Sequence, residues 1–465
     1  MLINGRFVEC DDKMDVFNPY NGDKVGSVSN CSLENVNSAV EAAKGAKKRA
    51  KDARPYARYE LLFNVYEIIK KRKEEFARLI TLESGKTIRE TRVEVDRSLQ
   101  TLLFSAEEAK RIHGETLSTE VTPVSTGRSA FTIREPIGVI GAICPFNFPL
   151  NLVVHKVGPA VAGGNTVIIK PASQTPLTAY ELGKVFLEAD AIPGLINIVS
   201  GKGSVIGDAL VKSDINMISL TGSVEVGKWV ASKAGMKKIS LELGGNGPFI
   251  VMDDADLDKA ISAAVDCSFG SAGQRCTAIK RILLHKKIAD DFINMFVEAT
   301  KILNVGDPLE ENTDIGPLID EYAAMDIETR VNDALKRGAE LLIGGKRSKA
   351  FYWPTILDNM PLDAQMVRTE TFGPVAPIIR IDTIEEAVQI ANDTPYGLQA
   401  GLFTDNLKNI KYAISNIESG ALIINGPPGF RVESLPFGGV KNSGMGREGV
   451  KYAIQEMTEV KTIVY

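Results

Sequence analysis

The chain has 465 residues, 44% of them hydrophobic, enough to bury a large core and to divide into more than one domain. A net charge of −5 argues against a nucleic-acid surface, and the basic stretch at 44–54 reads as a solvated helical face. Five scattered cysteines without a CxxC pair exclude a disulfide framework and give no sign of a metal site. With no signal-like start and no run near ~18 apolar residues, a cytoplasmic protein that avoids membranes is expected.

Residues 1–30 read as short strands, LINGRFVE and MDVFNPYNGDKVGSV each alternating about an Asn-Gly turn. From Ser32 the period becomes helical: 33–51 behind a serine cap, 59–82 stopping at Gly85, and 88–112. The stretch 116–134 is rich in Thr, Ser and Val, with Thr126 and Gly127 as its turn. It predicts a polar hairpin with too little core of its own, suited to reaching a neighbouring subunit.

From Pro136 strands and helices alternate: IGVIGAI before a helix at 152–163, TVIIK before one from Thr178, INIVS before one after Gly203, INMISL before one from Ser223. This predicts a doubly wound parallel sheet, helices on both faces, with a nucleotide at its strand ends. After Gly245 a second α/β set follows: a helix at 255–271, the strand AIKRILLH, a helix at 289–303 and further elements up to Asn425. The closing EVKTIVY predicts a strand paired with the hairpin arm.

Two glycine loops follow strands and open helices. GKGSVIG at 201–207 misses the dinucleotide spacing by one residue. TGSVEVG at 221–227 is favoured, because Ser223 and the helix N-terminal N–H groups form an anion site; the alternative is an ordinary capped turn. SGKT at 84–87 has Ile80 where a P-loop needs glycine, and reads as a helix C-terminus. Of His113, His155 and His285, only His155 is a candidate partner for a thiol, and no acid stands ready to orient it.

The stretch FGSAGQRCTA at 269–278 sets Cys276 behind glycines and beside Arg275. A buried apolar cysteine is the plain alternative, but the adjacent cation and Gly-rich approach favour a thiolate; Cys267, on an apolar helix, reads as core. In LELGG, 241–245, Glu242 sits between leucines at a strand end, where burial raises a carboxylate's pKa and suits a general base. Thiol and carboxylate together predict attack on a carbonyl, then hydrolysis of the resulting thioester.

PFNFP (145–149), KPAS (170–173), TGS (221–223), LELGG (241–245), GQRC (273–276), ETFGP (370–374) and PFGGVKNSG (436–444) together resemble the aldehyde dehydrogenase superfamily, in the same order across nearly the whole chain. The resemblance implies two doubly wound Rossmann-type α/β domains plus a β-hairpin oligomerisation arm. The division is 1–115 with 135–243 for the cofactor, 244–425 for catalysis, and 116–134 with 455–465 for the arm, in a homodimer or homotetramer. It implies Cys276 as nucleophile, Glu242 as the base that activates water, and Asn147, with the Cys276 N–H, as the oxyanion donor. NAD or NADP is implied as cofactor, with Lys170 at the adenosine ribose, Ser223 at the pyrophosphate, and Glu370 and Phe372 at the nicotinamide end. Ile143, Pro145, Phe146, Ser173, Gly203, Thr221, Gly222 and Leu243 complete that site. Glu242 also separates the chain from relatives that pass the acyl group to coenzyme A.

Ser173 stands where many NAD-specific relatives carry glutamate; a serine can donate to a 2′-phosphate, so NADP is expected to be accepted alongside NAD. GQRCTAIKR is similar to non-phosphorylating glyceraldehyde-3-phosphate dehydrogenases, in which an arginine before the nucleophile serves the phosphate. Arg275 would take that part, or form a structural salt bridge, with Arg431 as partner and Phe148 where those enzymes tend to have tyrosine. The ending FR…PFGGVK…SGxGREGVKYA is similar to archaeal lactaldehyde dehydrogenases. Lactaldehyde, D-glyceraldehyde 3-phosphate and succinate semialdehyde are the expected small-molecule substrates; an idle member kept for binding or assembly is the competing class.

Overall fold

The computed structural model describes residues 1–124 and 127–465. The turn expected at Thr126 lies outside the described residues. Short, almost wholly apolar runs such as VIGAI and TVIIK bury both faces, which calls for helices on each side of a parallel sheet. Val139–Ile143, Thr166–Lys170, Ile196–Ile198, Met217–Thr221 and Lys238–Glu242 form that sheet. The chain winds outward from Val139–Ile143 through Thr166–Lys170 to Ile196–Ile198, then crosses to lay Met217–Thr221 on its other side. The reversal leaves a crevice at the carboxyl ends of these two neighbours, where ligands bind in open α/β sheets.

Short antiparallel strands blunt both edges. Leu2–Ile3 and Arg6–Phe7 turn at Asn4 (φ 52°) and Gly5 (φ 74°), the left-handed pair an Asn-Gly hairpin needs, and Gly444–Met445 lies along Lys238–Glu242.

The helix expected at 59–82 is two, Pro55–Lys71 and Lys73–Ser84, broken at Arg72 (φ −104°, ψ 21°). The apolar spacing runs on across the joint and conceals it. The helix expected at 255–271 is Leu257–Phe269. Beyond Gly270 come three left-handed residues, Ser271 (φ 54°), Ala272 (φ 51°) and Gly273 (φ 70°), a conformation that side chains such as Ser and Ala enter only when tertiary contacts hold them.

A second sheet runs in the order Glu340–Ile343, Thr355–Asp358, Val375–Ile381, Arg281–His285, Pro248–Val251, Gln399–Phe403, Ala421–Ile424, parallel except at its first pair. It has its own core around Phe249, Phe292 and Phe296. A third sheet joins Thr116–Leu117, Ala130–Pro136 and Thr458–Val464; the closing strand pairs with the arm from Thr458↔Pro136 to Val464↔Ala130, as expected of EVKTIVY. Between 425 and 455, a stretch outside the expected boundaries, Gly444–Met445 and the helix Val450–Glu456 return to the first sheet and its core.

Candidate active site

A cleft of about 430 Å3 is lined by strand ends of the first sheet and by segments that connect elements of the second domain. Into it open the ends of Val139–Ile143, Met217–Thr221 and Lys238–Glu242, the turn before Cys276, and the segments around 370 and 430. Cys276, Glu242 and Asn147 all line it, as do Ile143, Pro145, Phe146, Phe148, Thr221, Gly222, Ser223, Leu243, Glu370, Phe372, Arg275 and Arg431.

The left-handed turn delivers Cys276. Glu90 accepts from both the Ser271 backbone N–H and its hydroxyl, and Gln274 donates to Ser271 O while accepting from the Ile319 N–H. A Cβ on Gly273 would collide with the Gly373 backbone, so glycine is required there on two counts. Asn147 Nδ2 donates to Gln274 O at 2.9 Å, leaving its second hydrogen for the cleft.

Burial pushes the Cys276 thiol up to about 12; Glu370 and Glu242 add to this, and Arg431 and Lys280 oppose it. The expectation that neighbouring Arg275 favours the thiolate is thereby corrected. The Arg275 guanidinium is turned to the carbonyl of Asp266 and to its carboxylate at 4.0 Å, and acts instead on the thiol of Cys267, which burial holds above its ordinary value and Arg275 only partly offsets. Glu242 is buried at its strand end, and neither carboxylate oxygen has a hydrogen-bond partner. Burial and then Glu448 hold its carboxyl well above the usual range, against Lys156, Arg431 and Arg447. An acid so placed waits for a proton or a water.

Ser223 caps the helix Val224–Lys233, its hydroxyl accepting from the Val226 N–H at 3.3 Å. Glu370 accepts from the Gly245 N–H at 3.2 Å, and a Cβ on Gly244 would strike its carboxylate. The rings of Phe372 and Phe146 meet edge to face, 6.0 Å apart. Lys170, Ser173 and Gly203 lie outside the cleft lining. Lys170 ends the strand next to Ile143 and donates to Pro171 O; burial lowers its pKa to about 8. Ser173 donates to Gly201 O at 2.9 Å. In this arrangement its proton is engaged, so what it offers a 2′-phosphate is the absence of a carboxylate rather than a donated bond. Gly203 is exposed, and a Cβ there would meet nothing.

At the other end lies a buried ion network the sequence reading missed. Arg431 stacks 3.8 Å above the Phe437 ring, donates to Glu448 at 3.1 Å, and lies 3.4 Å from Glu433 and 3.2 Å from His155. Its Nε has no hydrogen-bond partner. Arg97 donates to Glu433 at 2.6 Å, His155 Nε2 meets the other Glu433 oxygen at 2.6 Å, and Lys156 pairs with Glu448 at 3.0 Å. Lys86, paired with Glu94 at 2.6 Å, sits 3.8 Å from the Phe148 ring. Two adjacent ionisable residues in NLVVHKVGPAVA, a helix buried throughout, were the available signal. His155 faces Glu433 and Arg431, so the thiol–imidazole dyad of a hydrolase is not formed. Among the described residues no group of His, Cys, Asp and Glu is arranged to hold a metal, and no helix is long and apolar enough to cross a membrane.

Comparison with known proteins agrees with this geometry. Over 465 residues, 100% of this chain and 97% of the relative, the sequence is 46% identical to a 3-sulfolactaldehyde dehydrogenase of Priestia aryabhattai. Over 470 residues, 100% of this chain and 99% of the relative, it is 46% identical to a lactaldehyde dehydrogenase of Methanocaldococcus jannaschii. The crystal structure of a glyceraldehyde-3-phosphate dehydrogenase from the same archaeon, complexed with NADP, matches with a TM-score of 0.95 at 44% identity, covering 98% of this chain and 100% of that one. Residues 7–463 match the family pattern itself, and with a thiol and an unpaired carboxylate in one cleft at the sheet's switch point, the chain belongs to the aldehyde dehydrogenase family.

Proposed function

We propose that this chain oxidises a short 2-hydroxyaldehyde, lactaldehyde foremost, to its carboxylate through a thioester on Cys276. The observation that carries the reading is that Cys276 and the partnerless Glu242 carboxylate open into one cleft with the strand-end crevice. As an aldehyde dehydrogenase the chain uses NAD or NADP.

The residues present fit such a dinucleotide. Thr221 Oγ1 is buried without a partner, the helix behind Ser223 offers backbone N–H groups to a pyrophosphate, and Glu370 beside the Cβ-less Gly244 suits a ribose. Ile143, Pro145, Phe146, Gly222, Leu243 and Phe372 would wall it, while Lys170, Ser173 and Gly203 would meet the adenosine end. Bound there, the nicotinamide supplies the two-electron acceptor that turns the Cys276 adduct into a thioester.

The chain's own groups do the rest. Cys276 gives up its proton to water in the cleft and Sγ bonds to the aldehyde carbon; the C=O π pair moves to the oxygen, which becomes an anion held by Asn147 Nδ2 and the Cys276 N–H. Once the thioester stands, Glu242 takes a proton from water and the water oxygen bonds to the acyl carbon. The C–S bond then breaks and sulfur leaves as thiolate, releasing the carboxylate product. Desolvation by Phe148, Leu152 and Phe437 keeps other water from the adduct.

A second reading, a 2-hydroxyaldehyde carrying an anion at carbon 3, draws support from Arg431 and Arg97, both on the cleft lining, the Arg431 Nε making no hydrogen bond and only a 3.4 Å ion pair to Glu433. Sulfonate and phosphate both take such a guanidinium. The test is kcat/KM for lactaldehyde, D-glyceraldehyde 3-phosphate, 3-sulfolactaldehyde and succinate semialdehyde, each with NAD and NADP. A preference for succinate semialdehyde over all three 2-hydroxyaldehydes sinks the proposal.

The same reading takes 1–115 with 135–243 as the cofactor domain, 244–425 as the catalytic domain, and 116–134 with 455–465 as the arm of a cytoplasmic homodimer or homotetramer. Exposed Leu117, Phe131, Val460 and Val464 on the three-stranded arm support the assembly. Light scattering on the purified protein tests it; a monomer overturns it.

A further inference from the structure

Four lysines are buried among the described residues: Lys86, Lys156, Lys170 and Lys280. Lys86 and Lys156 are matched with Glu94 and Glu448, and Lys170, at a strand end outside the cleft lining, donates to Pro171 O. Lys280 is different. It is 1% exposed, has no ion pair, and makes one hydrogen bond, from Nζ to Gly273 O at 3.0 Å. The ring of Phe372 lies 5.1 Å from the ammonium. A charge taken from water against one carbonyl is costly, and an apolar side chain of that length would fill the same space with less penalty. Its place therefore calls for a function.

The place is specific. Gly273 ends the left-handed run that begins at Ser271, and Cys276 follows three residues on. Charged and titratable groups close in from three segments: Glu370 from the turn before Phe372, Arg275 and Cys276 from the nucleophile turn, and Cys267 from the helix Leu257–Phe269. Cys276 itself is faced by Glu370 and Glu242, which disfavour its anion, and by Arg431 and Lys280, which favour it. Arg431 is shared with Glu448 and Glu433. Lys280 makes no direct ion pair among the described residues, and Glu370 is the carboxylate that acts on it most.

We propose that Lys280 is a positioning residue for the nucleophile: its ammonium ties the Gly273 carbonyl, holding the turn that delivers Cys276, and places a positive charge beside the sulfur anion. This rests on Cys276 being the nucleophile.

The test is the rate at which iodoacetamide alkylates Cys276 in the full-length, cofactor-free protein, followed by peptide mass spectrometry; Sγ bonds to the methylene carbon and iodide leaves. At pH 7, Lys280→Met and Lys280→Gln are each expected to slow alkylation about tenfold, one pKa unit's worth of thiolate. The gap to wild type should close above pH 8, since burial lowers Lys280 to about 8 and wild type then loses the charge too. Gln keeps a donor for Gly273 O, so it remains informative should the Met variant fail to fold. A slowing of less than threefold in a folded variant, or a gap that does not change with pH, overturns the proposal. Turnover in Cys276→Ser would instead overturn the reading beneath it, whatever Lys280 does.

Discussion

The two ends of the cleft are built on opposite principles. At the proposed cofactor end, Ile143, Thr221 and Ser223 stand at the ends of neighbouring parallel strands or in the turn that follows, and backbone geometry places them. At the substrate end, Arg97, His155, Lys156, Arg431, Glu433 and Glu448 come from four distant segments and are held by one another. The first end tolerates change in any one side chain better than the second, where every charge is another's partner.

The proposed reacting pair, Cys276 and Glu242, lies between the two and is expected to break hardest. Cys276→Ala is expected to lower kcat by on the order of 10^4-fold or more, with the circular-dichroism spectrum unchanged. Glu242→Gln should cost about 10^2- to 10^4-fold in steady state yet keep a burst of reduced cofactor equal to the sites present, because only deacylation needs the base. Its pH dependence has a definite sign. The carboxyl is held above the usual range, so it is protonated and idle at low pH; wild-type kcat should climb as pH rises through that value, and the glutamine variant should lose the limb.

The comparison itself is sharpened by two arginines. Arg431→Leu strips partners from buried Glu448 and Glu433, and should cost roughly 3–5 kcal/mol of stability in denaturant melts. It should also raise KM for a 3-phospho or 3-sulfo substrate about tenfold to a hundredfold, the worth of a charge-assisted hydrogen bond. Arg275→Leu should change KM by less than about threefold, and equally for all substrates, because its guanidinium serves Asp266 near the surface. At the cofactor end, Ser173→Glu should cut kcat/KM with NADP about tenfold while sparing NAD, by repulsion alone.

A further effect is on acid stability. Glu448 is held down to about 2, chiefly by Lys156 and Arg431 acting against burial. A depressed carboxylate contributes stability that is complete above its ordinary value of 4.5 and disappears as pH falls towards 2, at most about 3 kcal/mol by linkage. Glu242 has the opposite sign: its folded form keeps a proton the unfolded chain releases, so its contribution weakens as pH rises through and above 4.5. Between pH 6 and 3, Tm should therefore fall more steeply in wild type than in Glu448→Gln.

Much of this was open to reading in the chain alone. Period and turn residues marked the strands whose ends carry Ile143, Thr221 and Glu242, and the glycine-rich turn marked Cys276, because each depends on local conformation and near neighbours; Asn147, Glu370 and Phe372 were named only through the family resemblance. Nothing local reports that Arg72 divides a continuous apolar stripe, that Ser271 and Ala272 turn left-handed, or that Arg275 faces Asp266 while Arg431 faces the thiol. Those depend on which distant side chains arrive to satisfy a buried hydrogen bond or charge. Only the packed chain decides that, since a buried ion's energy is set by partners hundreds of residues away in sequence and a few ångströms away in space.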